Sequence, residues 1–327
     1  MPEERIWFDT DPGIDDAVAL VLAASEAGPA VEGFSSVAGN VGEAQAAANV
    51  LRVTRAIEEA LPGALGSPRL ARGADRPLLR PARHATHVHG EDGLGGRLPP
   101  LPVDLLPKRD VLPAYRALVE LAPPGERFEG TLVALGPLTN VALACLCDRD
   151  WPRRVRRLVV MGGSIEAGGN ATAAAEFNFF ADPEAARIVL EAGFPQLDLV
   201  PIDAGRRLAF TRSQWSRLEG IATPVARLVR ELTGFWRDRV EAAGMVVYDA
   251  IAWMAVHHAD LFDWRAYHVT VDTAGGAADG ASVADRTHRP RPSNCRVAVD
   301  ARAEPFWEHF FALLKCGGGA GTASPDS

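Results

Sequence analysis

The stretch that organises this 327-residue sequence is Asp9-Thr10-Asp11-Pro12-Gly13-Ile14-Asp15-Asp16. It joins a short apolar run, Ile6 to Phe8, to a run from Asp15 to Ala27 whose apolar residues recur at helical spacing. The first run predicts a buried strand and the second predicts a helix. Four aspartates therefore stand where a strand ends and a helix begins.

The same alternation of strand-like and helix-like runs continues along the chain. Further strands are expected at 31–38, 131–135, 158–161, 197–201, 267–272 and 295–300, and helices at 43–60, 137–147, 182–193, 223–243, 249–258 and 303–314. Residues 63–108 show no period, which predicts a long loop of functional use. The pattern indicates an α/β fold in one large domain, residues 1–316, with a mostly parallel central sheet flanked by helices. The tail, residues 317–327, is rich in Gly, Ala and Ser and is expected to be disordered.

Composition limits the possible partners and compartments. The formal net charge is -8, which argues against nucleic acid as a partner, because phosphate binding needs a basic surface. No apolar run is long enough to predict a membrane span. The four cysteines form no Cys-x-x-Cys pair and indicate a reducing, cytoplasmic environment.

The aspartates predict a metal site. In an open α/β sheet the carboxyl ends of the strands form the ligand crevice, so Asp9, Asp11, Asp15 and Asp16 should converge there. Carboxylates forced together repel unless a cation neutralises them, and a hard ion such as Ca²⁺ or Mg²⁺ prefers oxygen ligands. Helix capping explains Asp15 and Asp16 but not the other two. A haloacid dehalogenase-like phosphatase is an alternative, although Gly13 stands where that family has Thr or Ser.

A second family fits these residues and several later motifs. The later motifs are Val37-Ala38-Gly39-Asn40, His89-Gly90-Glu91-Asp92-Gly93-Leu94, Leu135-Gly136-Pro137-Leu138-Thr139-Asn140, Met161-Gly162-Gly163, Asn170, Ala175-Glu176-Phe177-Asn178, Asp182-Pro183 and Tyr248-Asp249-Ala250. In this order they resemble the inosine-uridine preferring nucleoside hydrolases. The resemblance implies the Rossmann-like fold of that family, hydrolysis of ribonucleosides to base and ribose in nucleoside salvage, and a homodimer or homotetramer.

The resemblance also implies roles for individual residues. Asp11, Asp16, Asp249 and the carbonyl of Leu135 would bind Ca²⁺, and Asp9 would support them. Asp15, Asn40, Asn170, Glu176, Phe177 and Asn178 would bind the substrate. Coordination to the ion would lower the pKa of the attacking water, and Asp11 would take its proton as general base.

The group that helps the base to leave is the open question. Many members of the family have His before the last metal-binding aspartate, where this sequence has Tyr248. A phenol is a weaker acid than imidazolium at neutral pH. Tyr248 would therefore only hydrogen-bond the base, or His89 would act as the acid, or the base would stack on Trp236. His84 and His87 are expected to be surface loop residues. An alternative function is nucleoside binding with weak or no turnover, and the sequence does not fix the base preference.

Overall fold

The aspartate-rich stretch joins the first strand to the first helix, as the sequence predicts. In a computed structural model, which describes residues 4–102, 105, 113–239 and 244–316, β1 is Glu4–Thr10 and α1 is Ile14–Ser25. Gly13 is the N-cap of α1, and the side chain of Asp16 accepts a hydrogen bond from the Gly13 N–H. This hydrogen bond, from the N-cap N–H to a side chain three residues later, stabilises the first turn of the helix.

Further strands and helices follow along the chain. They are β2 (Pro29–Ser36), α2 (Glu43–Ala60), β3 (Arg69–Ala71), α3 (Thr86–His89), α4 (Ala114–Leu121), β4 (Phe128–Ala134), α5 (Thr139–Cys147), α6 (Trp151–Arg154), β5 (Val155–Met161), α7 (Phe177–Ala181), α8 (Pro183–Glu191), β6 (Leu197–Val200), β7 (Ala209–Phe210), α9 (Arg212–Glu219), α10 (Pro224–Arg237), β8 (Met245–Val246), α11 (Tyr248–His257), β9 (Phe262–Tyr267), β10 (Val269–Val271), β11 (Ser282–Ala284), β12 (Cys295–Ala301) and α12 (Ala303–Cys316). Short 3-10 helices cover Ile202–Gly205 and Ala259–Leu261.

The central sheet has the strand order β3-β2-β1-β4-β5-β6-β12-β9. Every pairing in it is parallel except that of β9 with β12, which is antiparallel. The chain leaves β1 towards β2 and β3 and later returns to the other side of β1 with β4. Such a reversal of strand order opens a crevice at the carboxyl ends of the two strands. Asp9 and Thr10, the last residues of β1, lie at this position.

Two hydrophobic clusters cover the two faces of the sheet. Phe8 belongs to the cluster that contains apolar residues of α1, α10, α11 and α12, whereas Trp7 belongs to the cluster formed with α4, α5 and α8. Successive side chains of a strand point to opposite faces, so β1 is buried on both sides. The mostly parallel α/β fold predicted from the sequence is therefore confirmed.

Some predicted boundaries differ from the structure. The strand expected at 267–272 is two strands in two sheets: β9 ends at Tyr267, and β10 pairs with β11. The long loop at 63–108 contains β3 and α3. The helix expected over 223–243 ends at Arg237, and residues 240–243 are not described. The predicted disordered tail, residues 317–327, also lies outside the described residues. Among the helices that are described, none combines the length and the apolar character needed to cross a membrane.

Candidate active site

Three carboxylates from two distant parts of the chain meet at the floor of the crevice. Asp15 and Asp16 begin α1, and Asp249 begins α11. Each offers an oxygen, and these three atoms lie within 4.8 Å of one another. All three residues are buried. Packing of α1 against α11 therefore brings together residues that are more than 230 positions apart.

Asp16 is held by short hydrogen bonds to its surroundings. Its Oδ1 accepts from Thr10 Oγ1 at 2.5 Å, and its Oδ2 accepts from Asn40 Nδ2 at 3.2 Å. The Gly13 N–H also donates to Oδ2, at 2.8 Å. These donors come from β1, the turn before α1 and the loop after β2, so the three segments fix one carboxylate.

Asp11 lies beside this group, although its oxygens are not among the three that converge within 4.8 Å. Its Oδ2 accepts from the Asn40 N–H at 2.6 Å, and its Oδ1 is buried with no hydrogen-bond partner in the described part of the chain. Gly39 and Gly136 enclose the carboxylate. A Cβ at Gly39 would lie 1.9 Å from Oδ2, and one at Gly136 would lie 2.5 Å from Oδ1. Only glycine leaves room for Asp11 at both positions.

The floor carries more negative charge than its surroundings neutralise. Burial, together with the neighbouring carboxylates, raises the pKa values of Asp11 and Asp249 well above the usual range and that of Asp15 to about 8. Asp15 Oδ1, like Asp11 Oδ1, is buried without a hydrogen-bond partner in the described residues. Unpaired buried oxygens of this kind suit a hard divalent cation, which would restore the charged forms. The donor set therefore fits a metal ion.

Asp9 lies away from the pocket and supports it from β1. Its Oδ1 accepts hydrogen bonds from Ser35 Oγ and Asn140 Nδ2. Burial raises the pKa of Asp9 to about 7. The backbone of this residue also contributes, because the Asp9 carbonyl accepts from the Leu135 N–H at 2.8 Å. This bond continues the pairing of β1 with β4 by one residue and so fixes the backbone of Leu135, which lines the pocket.

One wall of the pocket is formed by the segment that follows β5. Glu176 caps α7: its carboxylate accepts from the backbone N–H groups of Asn178, Phe179 and Gly163. Burial raises the pKa of Glu176 to about 7. The Nδ2 of Asn178 donates to the Leu135 carbonyl at 2.6 Å, which leaves its Oδ1 for a ligand. Asn170 is exposed, and its Oδ1 accepts from the Phe177 N–H.

These residues line a pocket of about 530 Å³. Of the residues that the sequence assigns to the site, those in the lining are Asp15, Asn40, His89, Leu135, Asn170, Glu176, Phe177, Asn178, Trp236, Tyr248 and Asp249. Asp11 and Asp16 are fully buried beneath them. The structure thus gathers the whole predicted set in one place. Asp15, which the resemblance assigns to the sugar, lines the pocket and also belongs to the group of converging carboxylates.

Another part of the pocket lining is formed by His89, Trp236 and Tyr248. The Nδ1 of His89 accepts from the Ile14 N–H at 3.1 Å, so the neutral ring carries its proton on Nε2, and burial lowers the pKa of His89 to about 4. Trp236 donates from Nε1 to the Val88 carbonyl and lies against His89, with ring centroids 5.9 Å apart. Burial, with Glu176 and Asp15 nearby, raises the pKa of Tyr248 to about 12. Tyr248 and His89 are therefore both uncharged near pH 7, where each can donate a hydrogen bond.

The mouth of the pocket contains residues that the sequence did not assign to the site. Arg83, His84 and His87 are exposed and line it, together with Phe180. The Arg83 guanidinium stacks over the Phe180 ring, 4.2 Å from its centroid. His84 Nδ1 lies 2.9 Å from the Gly39 carbonyl, which ties this loop to the loop that carries Asn40. No local pattern predicts this position for Arg83 and His84, because both precede α3 in a stretch without periodicity.

Comparison with known proteins gives a consistent result. Residues 6–308 match the family described as "Inosine-uridine preferring nucleoside hydrolase". The chain is 33% identical over 315 residues to the inosine-uridine preferring nucleoside hydrolase of Crithidia fasciculata, covering 94% of this chain and 96% of the relative. It is 34% identical over 319 residues to the non-specific ribonucleoside hydrolase RihC of Escherichia coli (strain SMS-3-5 / SECEC), covering 94% and 97%. The solved structure described as "Plant nucleoside hydrolase - PpNRh1 enzyme" superposes with a TM-score of 0.84 at 26% identity, covering 96% of this chain and 99% of that one.

Proposed function

The chain belongs to the inosine-uridine preferring nucleoside hydrolase family and is a nucleoside hydrolase, and we propose that it uses Ca²⁺ to cleave the N-glycosidic bond of ribonucleosides, releasing base and ribose. The observation that supports this most is the convergence of Asp15, Asp16 and Asp249 beneath one pocket. The phosphatase alternative is set aside because the family match covers residues 6–308.

The ion would be held by Asp11, Asp16, Asp249 and the carbonyl oxygen of Leu135. The place of Asp15 in the converging group supports it as a further ligand or neighbour. When bound, the ion supplies positive charge, which keeps the carboxylates ionised and makes water a better nucleophile near neutral pH. Oxygen ligands of this number and charge favour Ca²⁺ over softer metals.

Asp11 would act as the general base. One of its oxygens is fixed by the Asn40 N–H, and the other has no partner among the described residues, so this oxygen is free to accept a proton. Gly39 and Gly136 leave the space that the carboxylate occupies, because a Cβ at either position would overlap it. A base that is fixed in this way needs no reorganisation when the proton moves.

The sugar would lie between Asp15, Asn40, Asn170, Glu176, Phe177 and Asn178. The Asn178 Oδ1 can accept a hydrogen bond from a ribose hydroxyl, since its Nδ2 already donates to Leu135. Cleavage develops positive charge on the ribose ring, and nearby carboxylates stabilise that charge. A 2'-deoxyribose would leave some of these polar groups unpaired, so ribose should be preferred.

The base would lie towards His89, Trp236 and Tyr248. The His89 Nε2–H and the Tyr248 hydroxyl are donors, and Trp236 offers an aromatic face. We propose that they hydrogen-bond and pack against the leaving base without donating a full proton from the neutral groups.

We also propose a cytoplasmic homodimer or homotetramer that acts in nucleoside salvage. The cytoplasmic location rests on cysteine usage: Cys145, Cys147 and Cys295 are free thiols. The oligomer rests on family membership alone. Light scattering behind size-exclusion chromatography would measure the mass against the protomer mass of 34.9 kDa.

Purified protein with Ca²⁺ should release free base from at least one of inosine, adenosine, guanosine, uridine and cytidine. The assay follows base by chromatography and ribose by its reducing end, with chelated protein as the control. If no member of the panel is cleaved, hydrolysis of common ribonucleosides is wrong for this chain. Calorimetry with the same nucleosides then decides the alternative, because binding without turnover would indicate a nucleoside-binding protein.

A further inference from the structure

Two loops that are distant in sequence meet at the proposed site. One is the aspartate loop, residues 9–16, and the other is the histidine loop, residues 85–99, which supplies His89. Building on the proposed function, we propose that Asn49 and Arg52 of α2 are positioning residues that clamp the histidine loop against the aspartate loop and so set the geometry for hydrolysis. Neither residue lines the pocket.

Asn49 bonds to both loops at once. Its Nδ2 donates to the Pro12 carbonyl at 3.1 Å and to the Asp92 carbonyl at 2.7 Å. Its Oδ1 accepts from Arg52 Nη1 at 2.8 Å and from Gln45 Nε2 at 2.9 Å. The residue is fully buried, so each of these bonds replaces water that cannot reach it. A single carboxamide therefore joins the aspartate loop, the histidine loop and α2.

Arg52 fastens the far end of the histidine loop. Its Nε donates to the Pro99 carbonyl at 3.0 Å, and its Nη2 donates to Asp92 Oδ2 at 2.9 Å and also to the Leu98 carbonyl. Its side chain is only 5% exposed. A planar guanidinium can reach three separate acceptors in a fixed fork, which the single ammonium of lysine cannot do.

The two loops approach closely where Asn49 joins them. Gly93 has φ +79°, and a Cβ there would lie 2.9 Å from Asn49 Nδ2 and 3.0 Å from the Pro12 carbonyl. Asp92 shapes the turn, since its Oδ1 accepts from the N–H groups of Leu94 and Gly96. The contact is thus built into the backbone of the histidine loop.

The clamp acts on the site through His89. The Gly95 N–H donates to the His89 carbonyl at 2.8 Å, which links the turn to the histidine. The His89 ring then meets the aspartate loop: its Nδ1 is 3.1 Å from the Ile14 nitrogen and 3.7 Å from Asp15 Oδ1. Releasing the turn would move this ring away from the carboxylate floor.

The test is Arg52→Lys, with Arg55→Lys as the matched control. Arg55 lies on the same helix, is 60% exposed, and among the described residues pairs only with Glu59 one turn away. We expect Arg52→Lys to raise KM for a cleaved nucleoside by ~10- to 100-fold, because displacements of about 1 Å at a site cost that much. Hydrogen exchange should quicken in residues 85–99 alone. The control should match the wild type in both measurements.

Asp92→Asn tests the same clamp from the loop. Its side chain is 29% exposed, so this substitution leaves the core intact and serves even if Arg52→Lys does not fold. We expect Asp92→Asn also to raise KM. The double variant should raise KM by less than the product of the two single increases, because both substitutions break the same contact. A substitution that only destabilises the fold would instead lower the active fraction, and with it apparent kcat, at unchanged KM.

Three results would overturn the clamp: unchanged exchange in residues 85–99, faster exchange there with wild-type KM, or faster exchange spread evenly over the chain. Failure of the proposed function looks different, because the wild type itself would then release no base. In that case the calorimetric affinity for ribose replaces KM, and an affinity equal to that of the wild type in both variants would refute the clamp.

Discussion

The Asp11 carboxylate occupies space that is free because two neighbouring residues are glycines. Gly39 and Gly136 enclose it, the Asn40 N–H holds one oxygen, and the other oxygen has no partner among the described residues. Its burial and its charged neighbours raise its affinity for a proton. At the scale of one residue, this environment supports the proposal that Asp11 accepts a proton.

Asp11→Asn should lower kcat for nucleoside cleavage by ~10²- to 10⁴-fold, because the amide keeps the shape but cannot take a proton. Asp150→Asn is the control, since that side chain is 74% exposed and pairs with Arg153 on the surface. Steady-state kinetics at saturating nucleoside and Ca²⁺ measure the effect. A kcat within a factor of three of the wild type would rule out the role of Asp11 as general base.

Site residues could be predicted from the sequence where they belong to a recognisable motif. Residues that reach the site only through the packing of a loop were harder to predict. The sequence located Asp16, Asn178 and Asp249 because each stands in a recognisable motif, and the structure brings them into one pocket. Arg83 and His84 stand in a stretch without periodicity. Their place at the pocket mouth depends on how that loop folds back over the loop after β2, which no local pattern encodes.

At the scale of elements, the loop between β2 and α2 supports the site through its glycines. A Cβ at Gly39 would overlap Asp11, whereas nothing lies within 4 Å of one at Gly42, which has ordinary backbone angles. Gly39→Ala should therefore lower kcat/KM by at least about tenfold, and Gly42→Ala should have little effect. Kinetics and circular dichroism on both variants check this. Equal activities would show that the loop yields without moving the carboxylate.

The C-terminal ends of α1 and α11 are joined by a pH-sensitive contact. His258 Nε2 lies 3.3 Å from Glu26 Oε2, and this hydrogen bond raises the pKa of His258. The contact is fully stabilising below the unfolded-state pKa of about 6.5 and is lost as the pH rises through the higher folded-state value. Its contribution is expected to be below about 1 kcal/mol, because the pair is partly exposed.

Glu26→Gln should thus reduce the free energy of unfolding most near pH 6 and least near pH 9. Urea titrations across this range measure the difference from the wild type. In a His258→Gln background the effect of the same substitution should vary much less over the range, because only the attraction between Glu26 and His257 then remains. A loss of stability that grows with pH would contradict the assignment.

The order of elements was readable from the sequence because buried parallel strands are continuous apolar runs and helices carry a 3.6-residue period. The region after residue 260 was harder to predict. There, β9 and β10 are separated by one residue yet lie in different sheets, and β9 is an exposed antiparallel edge strand. A change of partner at His268 depends on which strands are already paired, so the local sequence predicted a single strand.

At the scale of the whole molecule, the acidic floor is expected to make stability depend on the proposed ion. Buried carboxylates that repel one another oppose folding, and a ligand that binds only the folded state stabilises it. Calcium at 100 times its Kd should add about 2.7 kcal/mol to the free energy of unfolding. Thermal melts with Ca²⁺ and with a chelator measure this at pH 7.5. Asp249→Asn should weaken the dependence, and an identical Tm with and without Ca²⁺ in the wild type would exclude a tight calcium site.

The meeting of α1 with α11 has a consequence for synthesis on the ribosome. Asp15 and Asp16 emerge early, but their partner Asp249 emerges only after three quarters of the polypeptide has been translated. Until then Asp249 cannot join the carboxylates of the first loop, so capture of the proposed cation is expected to be a late step of maturation. Truncated products that stop before α11 should therefore be unable to retain calcium, however well their first strands have paired.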